Sequence, residues 1–327
     1  MPETGAGRVS IPFPRLRRDH RLRVLLALLL VLCPPFLPQA YVVQATDTLL
    51  FVLLAVSVNI LIGYGGMISL GHAAYFAIGG YTAALLVTQA GAPMLLGLLA
   101  GPAAAALAAA FVGLFCIRVA NAYFIMLTLA FGQLVYTVIW KWHALTGGDD
   151  GLVGIAPPGP LLSAVNYYYF TLVVVVASLL VIHRICESPF GAALKAIRDT
   201  PNRARSIGID VRRFQLVAFT AAGLFAGIAG SLYVFHNRAI FPQSAVWVTS
   251  TEIMLMAVLG GADHFIGPVV GAVFVKTLNF LIPRVTEYWL LFLGLIVLLI
   301  AFVSPRGLMG AYDRLRARRG EGPAPDG

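Results

Sequence analysis

The chain has 327 residues, 59% of them apolar and only 11% charged, and its mean hydropathy is +0.87. A soluble globular domain carries nearer ~25% charge; the composition excludes one and fits a polytopic helical membrane protein, with room for about ten crossings at ~20 residues each. The net charge of +9 does not call for a nucleic-acid partner, because the 23 Lys and Arg residues are sorted along the chain: six lie in 1–23, one is Arg118, seven lie in 184–213 and five follow Pro305. Orientation by short basic loops produces this asymmetry.

In chain order, residues 1–21 read as a basic tail, 22–305 as the transmembrane region and 306–327 as a second basic tail. Both tails and the segment 187–213 are expected in the cytoplasm. Positions 1–23 are too basic and polar for a signal h-region. Val24 to Leu32 is apolar, but only Pro34-Pro35 follows it, not a small-residue cleavage site. The apolar runs fall at 22–38, 45–62, 72–90, 93–117, 121–140, 166–185, 214–236, 246–260, 268–282 and 287–303. Asp47, at the outer start of the second run, reads as a capping residue. Trp140 with Trp142, and Tyr167 to Tyr169, read as interface aromatics.

The loop HALTGGDDGLVGIAPPGP is expected outside, with Asp149-Asp150 in a turn. It lacks the alternating acidic ligands of a calcium loop. The runs at 246–260 and 268–282 are half-length and separated by GGADHFIG, the signature of broken helices near the bilayer midplane. The fold expected is therefore an all-α integral membrane bundle of about ten helices, or eight to nine if the broken segments are re-entrant. Cys33, Cys116 and Cys186 are too widely spaced for a metal site or a disulfide framework. No metal or cofactor is expected.

Glu187 to Arg213 is the one long polar stretch in the interior of the chain. Ser188-Pro189 and Thr200-Pro201 each place proline at a first helical position, and Gly208 suits a helix end. Phe190, Leu194 and Ile197 fall at i, i+4 and i+7, one apolar stripe. Two short amphipathic helices outside the bilayer follow, their stripe left for something to cover. The alternative is an ordinary basic loop resting on anionic headgroups of membrane lipid.

Within the membrane, GYGGMISLGHAAYFAIGGYTAAL, Gly63 to Leu85, has six glycines in 63–80. Such density either allows close helix packing or permits unwound backbone lining a cavity. Gly65, Gly66 and Gly71 with Ser69, His72 and Tyr75 are candidates for a substrate path, and Asn59 and Glu252 add polar groups within apolar runs. Gly260-Gly261 with Gly267 echoes Gly65-Gly66 with Gly71, and Gly260 and Gly261 are further candidates for the path. A Glu252–Lys276 pair across the broken helices is one arrangement the sequence allows. No phosphate loop, H-E-x-x-H or G-x-S-x-G is present; a transporter driven by ATP would need its motor on another chain.

The blocks GYGGMISLGHAAYFAIGGYTAALL, LTGGDDGL, SPFGAALKAIRDTPNRARSIGID and MAVLGGADHFIGPVVGA resemble, in this order, the M-type permease subunits of branched-chain amino acid ATP-binding cassette (ABC) importers. The resemblance spans about 45–305. It implies a non-enzymatic, multi-pass bacterial inner-membrane permease. It also implies a related H-type permease subunit, two cytosolic ATP-binding subunits and an extracytoplasmic solute-binding protein. Gly191, Ala196, Ile197, Arg198 and Gly208 match the loop that docks on the ATPases in that family, and Leu194 and Arg203 beside them are further coupling candidates. Asp263-His264-Phe265 is bulkier than the small residues usual there. The same family includes permeases for urea, short amides and aromatic acids, so the substrate stays open on sequence alone.

Overall fold

The computed structural model describes residues 34–119 and 122–284, then residues 286, 288, 291, 294–295, 297–298 and 307–310. The run expected at 22–38 is described only from Pro34, that at 287–303 only in isolated residues, and the tails, apart from 307–310, lie outside the described residues. The ten α-helices described are α1 Gln39–Asn59, α2 His72–Thr88, α3 Met94–Cys116, α4 Ala122–Lys141 and α5 Ala164–Glu187, then α6 Pro189–Asp199, α7 Pro201–Ser206, α8 Val211–Asn237, α9 Trp247–Gly260 and α10 Gly267–Leu281, apart from a one-turn helix at His143–Thr146. The expected runs from 45–62 to 268–282 are each helical.

Among the described residues, five helices are long and apolar enough to cross a membrane: α1 with the π-turn Ile60–Tyr64 that continues it, α3, α4, α5 and α8. α2 has 17 residues, α9 has 14 and α10 has 15. α1 and α8 form the centre of the bundle, with 72% and 67% of their most apolar stretch buried, against 33%, 22% and 33% for α3, α4 and α5. The outer three therefore leave most of their apolar surface uncovered by the rest of the chain.

Small residues bring α2, α3 and α8 together. A Cβ built on Gly79 would lie 2.5 Å from the Gly227 backbone, and one on Gly101 would lie 2.5 Å from the Gly79 carbonyl oxygen. Ser231 Oγ donates to the carbonyl oxygens of Gly79 (3.1 Å) and Gly227 (2.9 Å). Polar side chains of this kind hold membrane helices where the hydrophobic effect cannot.

The connections sort to two ends. At one end β1 Leu152–Val153 pairs antiparallel with β2 Ala239–Ile240, in the register Leu152↔Ile240 and Val153↔Ala239. There Gln89 Nε2 also donates to the Leu145 carbonyl, and the Arg238 guanidinium to that of Leu162. At the other end lie the segment 187–213, Arg118, and the breaks after α1 and α9. The basic loops thus share one end, as their charge predicts. The expected turn at Asp149-Asp150 is a 3-10 turn, Gly148–Asp150.

The tyrosines differ from expectation. Tyr167 and Tyr168 are buried rather than placed in an interface belt. The Tyr167 hydroxyl donates to the Leu232 carbonyl at 2.6 Å and its ring stacks on His236, so a polar tip that would otherwise seek water is satisfied on α8. Trp140 and Trp142 remain exposed.

Candidate functional site

The regular helices stop at two glycine-rich breaks, and the breaks touch. α1 widens into its π-turn, and the chain then runs without regular structure from Gly65 to Gly71. Gly66 has φ +66°, in the left-handed region that costs an L side chain ~1–2 kcal/mol. The second break joins α9 to α10 through Gly261, at φ +109°. A Cβ on Gly63 would stand 2.2 Å from the Ala262 carbonyl oxygen; one on Gly260 would stand 1.8 Å from that of Gly267. No side chain fits at either point, so the backbones themselves form the joint.

Arg198, at the C-terminal end of α6, ties the polar segment to both breaks. Its Nη1 donates to the Gly63 carbonyl oxygen and, at 3.1 Å, to Asp263 Oδ1; its Nε donates to Asp199 Oδ1 at 3.2 Å. A Cβ on Gly66 would meet Arg198 Cγ at 2.7 Å, so the left-handed glycine also makes room for the arginine stem. The neighbouring Lys195 lies over the Tyr64 ring at 4.9 Å, and Phe265 of the second break packs on His183 at 4.9 Å between ring centres. The bulky Asp263 and Phe265 thus both serve this joint.

Both helix starts in the segment fall where proline places them, at Pro189 and Pro201, and Gly208 follows α7 with φ +88°. The apolar stripe is not left over. Leu194 and Ile197 are 1% exposed, and Phe190 stacks on Phe214 at 5.4 Å. The first turns of α8 return under the segment, and Val211 and Phe214 cover what the helical periodicity leaves bare. Gly191 is buried where a Cβ would meet the Cys186 carbonyl oxygen at 2.0 Å, a requirement of the α5–α6 turn. Ala196 is half-buried, while Lys195, Arg203, Arg205, Ile207 and Gly208 form the exposed face.

Asn59, Ser69, His72 and Tyr75 are buried among helices. Ser57 Oγ and His72 Nε2 lie 2.7 Å apart, joining α1 to α2. The start of α2 is held from two further helices: Leu70 N–H donates to Thr128 Oγ1 on α4, and Ala73 N–H to Ser250 Oγ on α9. Sequence reasoning missed Thr128 and Ser250, which a single strand of residues gives no means to pair with a helix start. Asn59 Oδ1 and His72 Nδ1 are buried polar atoms with no hydrogen-bond partner among the described residues.

A separate polar cluster crosses α1, α9 and α10. Lys276 Nζ pairs with Asp47 Oδ2 at 2.6 Å and lies 3.8 Å from the centre of the Phe51 ring. Glu252 Oε1 accepts from Asn279 Nδ2 at 2.8 Å. Asp47 is therefore not a cap, since α1 begins eight residues earlier, at Gln39; it is the partner that a buried ammonium needs. The ion pair of Lys276 is with Asp47 rather than Glu252. Two opposite charges in separate apolar runs were the available signal, and the capping assignment hid it.

The family described as "Branched-chain amino acid transport system / permease component" matches residues 41–301. The chain is similar to the high-affinity branched-chain amino acid transport system permease protein LivM of Escherichia coli strain K12, at 29% identity over 318 residues, covering 89% of this chain and 75% of the relative. It is similar also to the LivM protein of Salmonella typhimurium strain LT2, at 28% identity over 319 residues, with the same coverage of 89% and 75%. A more partial likeness, 27% over 162 residues and 47% of each chain, is to the autoinducer 2 import system permease protein LsrC of Shigella flexneri. No solved structure matches.

Proposed function

The chain belongs to the permease family of branched-chain amino acid transport systems, and from that premise we propose that it forms part of the translocation path for branched-chain amino acids in an ABC importer of the bacterial inner membrane. Its partners are an H-type permease, two cytosolic ATP-binding subunits that supply all hydrolysis, and an extracytoplasmic solute-binding protein. The end bearing 187–213 and both chain termini face the cytoplasm, in keeping with the positive-inside rule. Segment 187–213 is the handle. The ATPases take its exposed face of Lys195, Arg203 and Ile207, while the buried Leu194 and Ile197 fix it to the bundle.

The observation that carries the reading is the Arg198 junction. One guanidinium holds the α1 break through Gly63 and the α9–α10 break through Asp263. A displacement of α6 by nucleotide-driven closure of the ATPases therefore acts on both breaks together, and packed helices respond by switching between discrete arrangements. The cargo reading rests on the relatives. An ion-coupled carrier would instead use Glu252 and Lys276 as its coupling groups, without ATPases.

The test is uptake of labelled leucine into proteoliposomes holding the complete complex. Uptake should require ATP and the binding protein, and it should be lost in Arg198→Glu although the complex still inserts. Uptake that survives without the ATPases, or that collapses only with a proton ionophore, would favour the ion-coupled reading. Full uptake by Arg198→Glu would reject the junction as the coupling element.

A further inference from the structure

At the end of the bundle that carries the polar segment there is a cavity of about 480 Å³. Four arginines from four different elements converge on it: Arg118 just past the end of α3, Arg198 on α6, Arg205 on α7 and Arg212 in the first turn of α8. Among the described residues no carboxylate lines it. Arg198 is engaged by Asp263 and Asp199, and Arg205 reaches Asn202 at 3.3 Å. Arg118 and Arg212 have no ion pair or side-chain hydrogen bond among the described residues. Arg118 and Arg212 thus stand beside two further arginines with no carboxylate of their own, and like charges so gathered repel. Arg118 and Arg212 are exposed, and either could point away at no cost in burial.

The walls locate the cavity at the membrane boundary. It is closed on one side by Ile117 to Val119, just past α3, and by the first residues of α4, the two spans being largely uncovered by the rest of the chain, and its rim includes the exposed Ile68 and Val119. Guanidinium groups above apolar side chains at that depth match a phosphate ester carrying acyl chains. We propose that this cavity binds a phosphate anion, the headgroup of an anionic glycerophospholipid whose acyl chains lie along α3 and α4. A bound headgroup would rest on Gly65, Gly66 and Arg198, which also line the cavity, and so on the junction between the polar segment and the first break. The inference needs the chain in a membrane but does not depend on the cargo or on the partner subunits.

The experiment is native mass spectrometry of the complete complex purified in detergent, titrated with phosphatidylglycerol, with phosphatidylcholine as the neutral control and with inorganic phosphate as competitor. The variant is Arg118→Gln with Arg212→Gln, two exposed residues whose removal leaves no partner unsatisfied, and a thermal melt confirms that it stays folded. Phosphatidylglycerol is expected to bind saturably and in preference to phosphatidylcholine. The double variant should weaken it by about thirtyfold, the loss of two membrane-proximal cations. Displacement by millimolar inorganic phosphate would identify a free anion as the source and overturn the lipid assignment. Equal binding of both lipids, or an unchanged affinity in the folded double variant, would overturn the site itself. So would a double variant that loses the ATPase subunits on purification while keeping its lipid, since the arginines would then serve an acidic partner.

Discussion

Lys276 Nζ on α10 stands 2.6 Å from Asp47 Oδ2 on α1, with only 13% and 20% of the two side chains exposed. Inside a membrane neither charge has water to fall back on, so each exists because the other does. Removing one partner from such a pair is expected to cost about 3–5 kcal/mol, because the survivor is left buried and uncompensated. Lys276→Met should therefore lower the thermal midpoint of the purified protein sharply. Asp47→Asn with Lys276→Met should recover most of the loss. A double variant no better than the single would mean that the two residues act independently.

Arg198 makes a different kind of bond. Its partner Asp263 is 70% exposed, and an exposed ion pair contributes only ~0.2–1 kcal/mol. The Gly63 carbonyl, by contrast, is reached by a guanidinium that simultaneously turns its other donors to Asp199 and Asp263. A lysine ammonium is a point charge on a flexible stem and cannot reproduce that planar fork. Asp263→Asn should leave transport within about twofold of the parent, and Arg198→Lys should reduce it at least tenfold at unchanged protein level. Quantitative uptake in matched proteoliposomes separates the two; equal losses would show that the ion pair, and not the grip on the first break, carries the coupling.

What could be read from the sequence follows from how locally each feature is determined. The starts of α6 and α7 were legible because proline fixes its own φ and needs no distant partner. The two breaks were legible because glycine clusters interrupt apolar runs. The fate of Leu194 and Ile197 was not, since an apolar stripe announces that it will be covered but not by what, and here α8 of the same chain returns to cover it. Tyr167 failed for the same reason: its hydroxyl is satisfied by Leu232, 65 residues away. The Arg198 junction joins residues 63, 198 and 263, and no periodicity links them; only the resemblance marked Arg198 at all.

The touching breaks give a steric prediction. At Gly63 the neighbour is backbone, the Ala262 carbonyl oxygen, which cannot swing aside as a side chain can. Gly63→Ala should force the α1 and α9–α10 breaks apart, at the ~1–3 kcal/mol typical of overpacking. At Gly66 an added methyl also faces the left-handed backbone, yet its contact is the flexible Arg198 stem. Gly66→Ala should therefore displace Arg198 more than the helices. The two variants ought to differ in kind: a lowered melting midpoint for Gly63→Ala, and weakened transport with a smaller stability change for Gly66→Ala. Identical behaviour of both would show that the joint is soft.

The last prediction concerns the central packing that keeps the breaks in register. Ser231 Oγ lies between α8 and α2, donating to the Gly79 and Gly227 carbonyls. The Gly101 Cα faces the same point from α3, where an added Cβ would stand 2.1 Å from that oxygen. Removing the hydroxyl alone loses a weak interhelical bond, worth about 0.6 kcal/mol in membrane proteins, and opens a small space. Gly101→Ala instead drives a methyl group into an occupied one. Ser231→Ala should be nearly silent and Gly101→Ala clearly destabilising. The double variant should be milder than Gly101→Ala alone, because the missing oxygen vacates the site that the new methyl needs. Melting curves of the three proteins in one detergent decide it. Additive effects would mean that the methyl meets the Gly79 carbonyl, 2.5 Å from the same Cβ, before it reaches the serine.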